Sequence, residues 1–280
     1  MIARKQRPAE RPSSLGRKRV YWPISVGVVV LVLFLWWAVR AFNLLELVGI
    51  TSNPDLFVPE IQKVASQFVD LAFGEGYRGE LLWFHLGWSM LRLGTGFALA
   101  VLIGVPLGLL MGTSKTVAAI FDPLIEFYRS LPPLGYYTLL IVWLGIGESP
   151  KITLLFLAAL APIVINTRAG VRGVRETWRE QAQCLGASQS YIFRYVMIPA
   201  SMPYIFAGLK LSLGFSYTTL VAAELVAATK GIGWMVLDAS KFLRMDVVFV
   251  GIIVMGVTAI LLDRLLRFLE DRLVPWRGKE

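Results

Sequence analysis

Glu180-Gln181-Ala182-Gln183-Cys184-Leu185-Gly186, running on through Ala187 to Tyr195 and closing on Val196-Met197-Ile198-Pro199, is a polar island between two long apolar segments. Apolar runs of about twenty residues recur along the chain, and each is long enough to cross a bilayer core as a helix. Composition agrees: 56% of the 280 residues are hydrophobic and only 17% are charged, which is wrong for one soluble domain and right for a polytopic membrane protein.

Within the island, Trp178, Ala182 and Leu185 fall at i, i+4 and i+7 and predict a short amphipathic helix with a narrow apolar stripe. Gly186 permits a bend, the chain resumes helically from Tyr191 to Met197, and Pro199 and Pro203 mark entry to the next span. A rigid helix-turn-helix hung below the membrane suits docking into a groove on a cytosolic partner.

Charge counts give the topology outward from there. Residues 1–20 carry Arg4, Lys5, Arg7, Arg11, Arg17, Lys18 and Arg19 against a lone Glu10, a cytoplasmic tail. Residues 21–79 hold the first span, Trp22 to Phe42, and an external amphipathic segment. A cleaved signal peptide shares the basic-then-apolar pattern, but bulky Trp36-Trp37 and then Arg40 stand where small residues are needed, which favours a retained helix. From Asn43 to Glu80 six acidic residues outnumber Lys63 and Arg78, so this loop is outside. Pro59 to Phe73 predicts a helix resting on the membrane or the bundle by Ile61, Val64, Ala65, Phe68, Val69 and Ala72.

Residues 80–272 form the core. The second span, Leu82 to Met111, has Gly104, Gly108 and Gly112 four apart, an invitation to close helix approach. The third, Val117 to Gly147, is interrupted by Pro132-Pro133 and must break or kink there. Ile152 to Ile165 opens the fourth. Arg168, Arg172, Arg175, Arg179 and Arg194 then mark the inner loop, whose 175–199 stretch is the island. The fifth span, Met202 to Val226, a Gly-bounded outer segment from Thr229 to Trp234 with a short helix to Leu243, and the sixth span, Val247 to Phe268, follow. Residues 273–280 form a cytoplasmic tail. The expected fold is all-α, with six transmembrane helices and both termini inside.

Several function classes drop out. The net charge of +9 is spread over loops and reads as topology, not as a nucleic-acid surface. A single cysteine and a single histidine, Cys184 and His85, leave no Cys cluster or His-pair metal motif. No phosphate-binding loop motif occurs, so work against a gradient needs energy from a partner. An ion-coupled secondary transporter stays as the competing class, because six spans with intramembrane acids allow it.

The island resembles the coupling loop of bacterial import permeases in ATP-binding-cassette (ABC) transporters: Glu-Ala-Ala, three residues, Gly, nine residues, Ile-x-Leu-Pro. Glu180, Ala182, Gly186 and Pro199 match, while Gln181, Val196 and Ile198 depart conservatively. The likeness extends over about residues 80 to 277 and points to the taurine, sulfonate, nitrate and bicarbonate branch. Phe121 to Leu134, Val142 to Glu148, Thr219 to Leu225 and Leu273 to Gly278 look most like the taurine members.

That resemblance implies a MetI-like type I importer fold in the bacterial inner membrane. It implies a second permease copy forming a homodimer, two cytosolic ATPases, and a periplasmic substrate-binding protein. It implies no catalysis, metal or cofactor in this chain, with ATP and Mg²⁺ held by the ATPases. The cargo it implies is taurine or a related sulfonate, with nitrate or bicarbonate as the alternative. Trp178, Glu180, Ala182, Leu185, Gly186 and Pro199 are the expected ATPase-coupling residues.

For the pathway, Asp122, Glu126 and Arg129 share a face just before Pro132-Pro133, and irregular backbone at that depth must be buried in protein or line a cavity. Two readings stand open for Glu126 and Arg129, a structural brace or substrate contact. Pro132, Pro133 and Tyr136 are plausible lining. Arg92, in a stripe with His85 and Ser89, either snorkels or pairs with an acid such as Glu224, or attracts an anion. Glu224 equally meets an ammonium on that second reading.

Overall fold

The computed structural model describes residues 14–42 and 57–276, so most of the basic N-terminal tail, much of the acidic outer loop and the last four residues lie outside it. Among the described residues every regular element is helical, apart from an isolated bridge between Tyr77 and Glu80. They fall into two units, one up to Ala65 and one from Ser66.

The first unit is built on α1, Ser14–Ala41, which passes through Pro23 and is apolar from Val26 onward. Val28 to Leu35 are exposed around its circumference, as expected of a helix that meets lipid. At its end the Trp36 indole donates to the Pro59 carbonyl at 3.0 Å, and Arg40 pairs with Glu60 at 3.1 Å. Helix α2, Ile61–Phe73, starts here and runs into the second unit. Of the expected stripe Val64 and Ala72 are buried, joined by Leu71, while Phe68 and Val69 are exposed.

In the second unit α3 spans Leu82–Thr113, α4 Lys115–Arg129, α5 Pro133–Leu144 and α6 Ser149–Arg172. The polar island follows as α7, Glu176–Cys184, and α8, Gln189–Ile192. A π turn over Phe193–Met197 leads directly into α9, Ile198–Ala227, and α10, Ile232–Lys241, and α11, Met245–Leu273, complete the chain. Four of these segments are long and apolar enough to cross a membrane: α3, α6, the continuous Gln189–Ala227 stretch, and α11. The other two expected spans correspond to α1 and to the α4–α5 pair. The pair is split because Pro132 takes an extended conformation and Pro133 begins a new helix, where a missing N–H costs nothing. With 12 residues α5 is too short to cross alone.

Helix α6 packs against both α3 and α9. Small residues set both seams. On α3, Gly96, Ala100, Gly104 and Gly108 are buried in a row. A Cβ placed on Gly108 would lie 2.6 Å from the Thr167 Cβ, and one on Gly104 would lie 3.0 Å from Ile163. Between α6 and α9, a Cβ on Gly208 would lie 2.8 Å from the Asn166 Cβ. Lipid offers no hydrophobic drive between helices, so backbone approach at glycine supplies the van der Waals contact that holds them. Leu93, Leu155, Ala159, Ile163, Phe206 and Leu213 fill the core between these helices. Apolar side chains such as Val142, Trp143 and Phe215 face outward.

Candidate functional site

The 175–199 loop is shaped by its helix ends. The α6 helix stops at Arg172, where the Gly173 N–H still reaches the Ala169 carbonyl at 2.9 Å. In α7, Arg175 lies over the Trp178 ring and Glu176 pairs with Arg179 at 3.0 Å. The helix then ends in a Schellman motif: Gly186 N–H donates to the Gln183 carbonyl at 2.9 Å and Ala187 N–H to the Ala182 carbonyl at 3.0 Å. Gly186 adopts φ +81°, the left-handed conformation this motif requires. Ala182 and Ala187 are the apolar pair that accompanies it, and both pack on Val171, Ile192 and Met197. The Ser188 hydroxyl then caps α8 by accepting from the Tyr191 N–H at 3.3 Å.

The apolar stripe expected on α7 is thereby divided. Ala182 faces inward, while Leu185 is 88% exposed. Trp178 is half-buried in a groove with Tyr195, Pro199, Ala200 and Trp276, and the Trp276 indole donates to the Pro199 carbonyl at 3.3 Å. Glu180 is exposed. Tyr191 and Tyr195, exposed and stacked with centroids 4.5 Å apart, join Leu185 in offering apolar surface. Pro199 is held in the first turn of α9, continuous with the loop through the π turn.

Near the N-terminal end of α3 and the C-terminal end of α9 the structure assembles a buried ionic clamp. Arg92 and Glu224 are each 1% exposed and pair at 2.7 Å. All three guanidinium nitrogens of Arg92 donate: Nη1 to Glu224 and to the Lys230 carbonyl, and Nε and Nη2 to Glu148. Glu224 also accepts from the Ser89 hydroxyl at 2.7 Å and the Gly233 N–H at 2.8 Å. Ser89 and His85 accept from the N–H groups of Ile232 and Gly231. The clamp therefore ties the segment before α10 to the bundle. Its carboxylate Glu148, in the turn before α6, is lowered to about 2, chiefly by the Arg92 hydrogen bond, against the opposing effect of burial and with help from Lys151. Of the two readings open for Arg92 and Glu224, this geometry is that of an acid–base pair.

A cavity of about 430 Å³ opens at the α4–α5 break, between α6 and α9. Tyr128, Arg129, Pro133, Tyr136 and Asn166 are among its lining residues. Glu126 is outside the lining and pairs with Arg129 at 2.7 Å, while Asp122 pairs with Arg168 of α6. Glu148, Tyr128, Asn166 and Trp276 escape a reading of the sequence alone. A Glu after a Gly-rich turn and a Tyr beside a Pro pair were their only signals, and their roles depend on residues far away in the chain. Among the described residues no cluster of three or more metal-ligating side chains occurs.

Comparison with known proteins bears on all of this. Residues 104–275 match the family model described as binding-protein-dependent transport system inner membrane component. The chain is 41% identical to the taurine transport system permease protein TauC of Escherichia coli over 264 residues, covering 92% of this chain and 93% of that one. It is 34% identical to the putative aliphatic sulfonates transport permease protein SsuC of Bacillus subtilis, covering 94% and 91%. It is 31% identical to the nitrate import permease protein NrtB of Synechocystis, covering 93% of each. A chain of the MetNI methionine ABC transporter, solved in inward facing conformations, superposes with a TM-score of 0.55 at 18% identity, over 69% of this chain and 96% of that one. The chain belongs to the family of inner-membrane components of binding-protein-dependent transport systems, and is a multi-pass permease subunit of an ABC importer.

Proposed function

We propose that two copies of this chain form the pathway of an importer for taurine or a related small sulfonate, driven by two cytosolic ATPases and fed by a periplasmic binding protein. Both termini lie in the cytoplasm, and the 175–199 loop docks on the ATPase. In that loop Leu185 and the half-buried Trp178 supply apolar contact, Glu180 a polar one, and Ala182 and Gly186 the bend that aims them. Pro199, in the first turn of α9, passes ATPase closure to the span. ATP shifts the inward–outward equilibrium only by its differential affinity for the two states, and the docked loop carries that difference. The broken α4–α5 segment, with Glu126, Arg129, Pro132, Pro133 and Tyr136, borders the pathway. Arg92 and Glu224 hold its outer end.

The observation that carries the cargo is the 41% identity to the taurine permease over nearly both whole chains. The nitrate reading has the 31% relative behind it and ranks second. Uptake by the permease reconstituted in proteoliposomes with the ATPase and binding protein is the test. Taurine accumulation that requires ATP supports the proposal; transport that persists without ATP under a proton or sodium gradient overturns it, and ATP-driven uptake of nitrate with none of taurine overturns the cargo.

A further inference from the structure

The hydroxyl of Tyr128 is buried and has no hydrogen-bond partner among the described residues, a costly state for a donor inside a membrane protein. Tyr128 is one of the residues around the cavity at the α4–α5 break, so a small rotation of its side chain would bring the hydroxyl to that space. A second tyrosine, Tyr136, borders the same cavity. Of the lining residues only Arg129 carries a formal charge, and the carboxylate that neutralises it, Glu126, is not among them. Glu126 takes Nε and Nη2 of Arg129, and among the described residues nothing accepts from Nη1. The remaining walls are largely apolar, with Leu131, Leu157 and Phe215 among them.

We infer that this cavity is a binding site for the oxyanion end of the cargo, a sulfonate on the reading proposed above, with Tyr128, Arg129 and Tyr136 as its donors. A guanidinium whose carboxylate partner stands outside the cavity, set beside tyrosines in largely apolar walls, favours an anion that accepts several hydrogen bonds, and charge assistance makes those bonds the strong ones available. The volume of about 430 Å³ suits a small solute. The Arg129–Glu126 pair keeps the grip weak, as a site that must also release its cargo requires.

The experiment uses the permease–ATPase complex in phosphatidylcholine nanodiscs, without binding protein, and reads ligand binding by saturation-transfer NMR and calorimetry. Taurine and ethanesulfonate bind, while ethanolamine, which keeps the ammonium and lacks the sulfonate, does not. Arg129→Gln weakens taurine binding about ten-fold. Tyr128→Phe weakens it about five-fold and raises the Tm of the ligand-free complex, because it removes the orphaned hydroxyl. A Tyr128 hydroxyl with only a structural role would lower the Tm on removal and leave binding alone. Unchanged affinity in both variants, or equal binding of ethanolamine, overturns the site. Uptake by the wild-type importer separates this from the function: taurine uptake alongside unchanged variant affinities rejects the site and keeps the importer, whereas sulfonate binding without taurine uptake keeps the site and rejects taurine as the cargo.

Discussion

At the scale of single residues, Gly186 and the Arg92 cluster carry the most consequence. A Cβ on Gly186 would meet nothing within 4 Å, so substitution there costs through backbone conformation and not through clash. Holding a non-glycine residue left-handed costs about 1–2 kcal/mol, less for Asn, which tolerates that region. Gly186→Ala should therefore reduce binding-protein-stimulated ATPase activity more than Gly186→Asn does. Gly186→Asp tolerates that conformation much as Asn does, so its effect comes from the negative charge it adds to the docking surface: it should abolish the activity while the protein still inserts and purifies. Arg92→Met leaves the fully buried Glu224 without its cation and Glu148 with Lys151 alone, and the expected loss is about 3–5 kcal/mol, read as a large fall in Tm. Glu148 gives this clamp a pH signature. Because its folded-state value is depressed from 4.5 to about 2, its contribution is complete above pH 4.5 and disappears as pH falls through about 2. Thermal unfolding of purified protein should weaken across that window, and Glu148→Gln should flatten the dependence.

At the scale of elements, the α3–α6 seam makes the sharpest demand. Gly108→Val forces a β-branched side chain against Thr167, where a bare Cβ already approaches to 2.6 Å, and should lower Tm steeply or prevent folding. Gly94→Ala on the same helix, where a Cβ meets nothing within 4 Å, should leave Tm unchanged; equal effects would refute the seam. The glycine spacing on α3 and the break at Pro132-Pro133 were legible in the sequence because each acts through local covalent geometry. The bend at Gly186 was legible for the same reason. What a stripe touches was not. The spacing of Trp178, Ala182 and Leu185 shows a face but cannot tell that Ala182 is half of a Schellman pair packed on the bundle while Leu185 points away. The Arg92 clamp was half legible: Glu224 is a conspicuous acid near a span end, but Glu148 lies 56 positions from Arg92 and only the tertiary fold brings them together. In α2 the apolar period showed a stripe for the membrane or the bundle but not which of its residues meet the bundle: Val64 and Ala72 are buried, while Phe68 and Val69 are exposed.

At the scale of the whole molecule, the three packed helices α3, α6 and α9 connect the Arg92 clamp, the cavity at the broken helix and the 175–199 loop. The proposed function requires that loop to lie in the cytoplasm, where a motor engages it. The chain offers its own probe, since Cys184 is its single cysteine and sits exposed at the end of α7. The direct measurement is labelling of Cys184 with a membrane-impermeant maleimide in vesicles of each orientation, with and without the ATPase. The proposed function predicts rapid labelling in inverted vesicles stripped of ATPase, protection when the ATPase is added back, and none in right-side-out vesicles. Labelling from the outer face, or labelling from the inner face that the ATPase leaves unchanged, would contradict it.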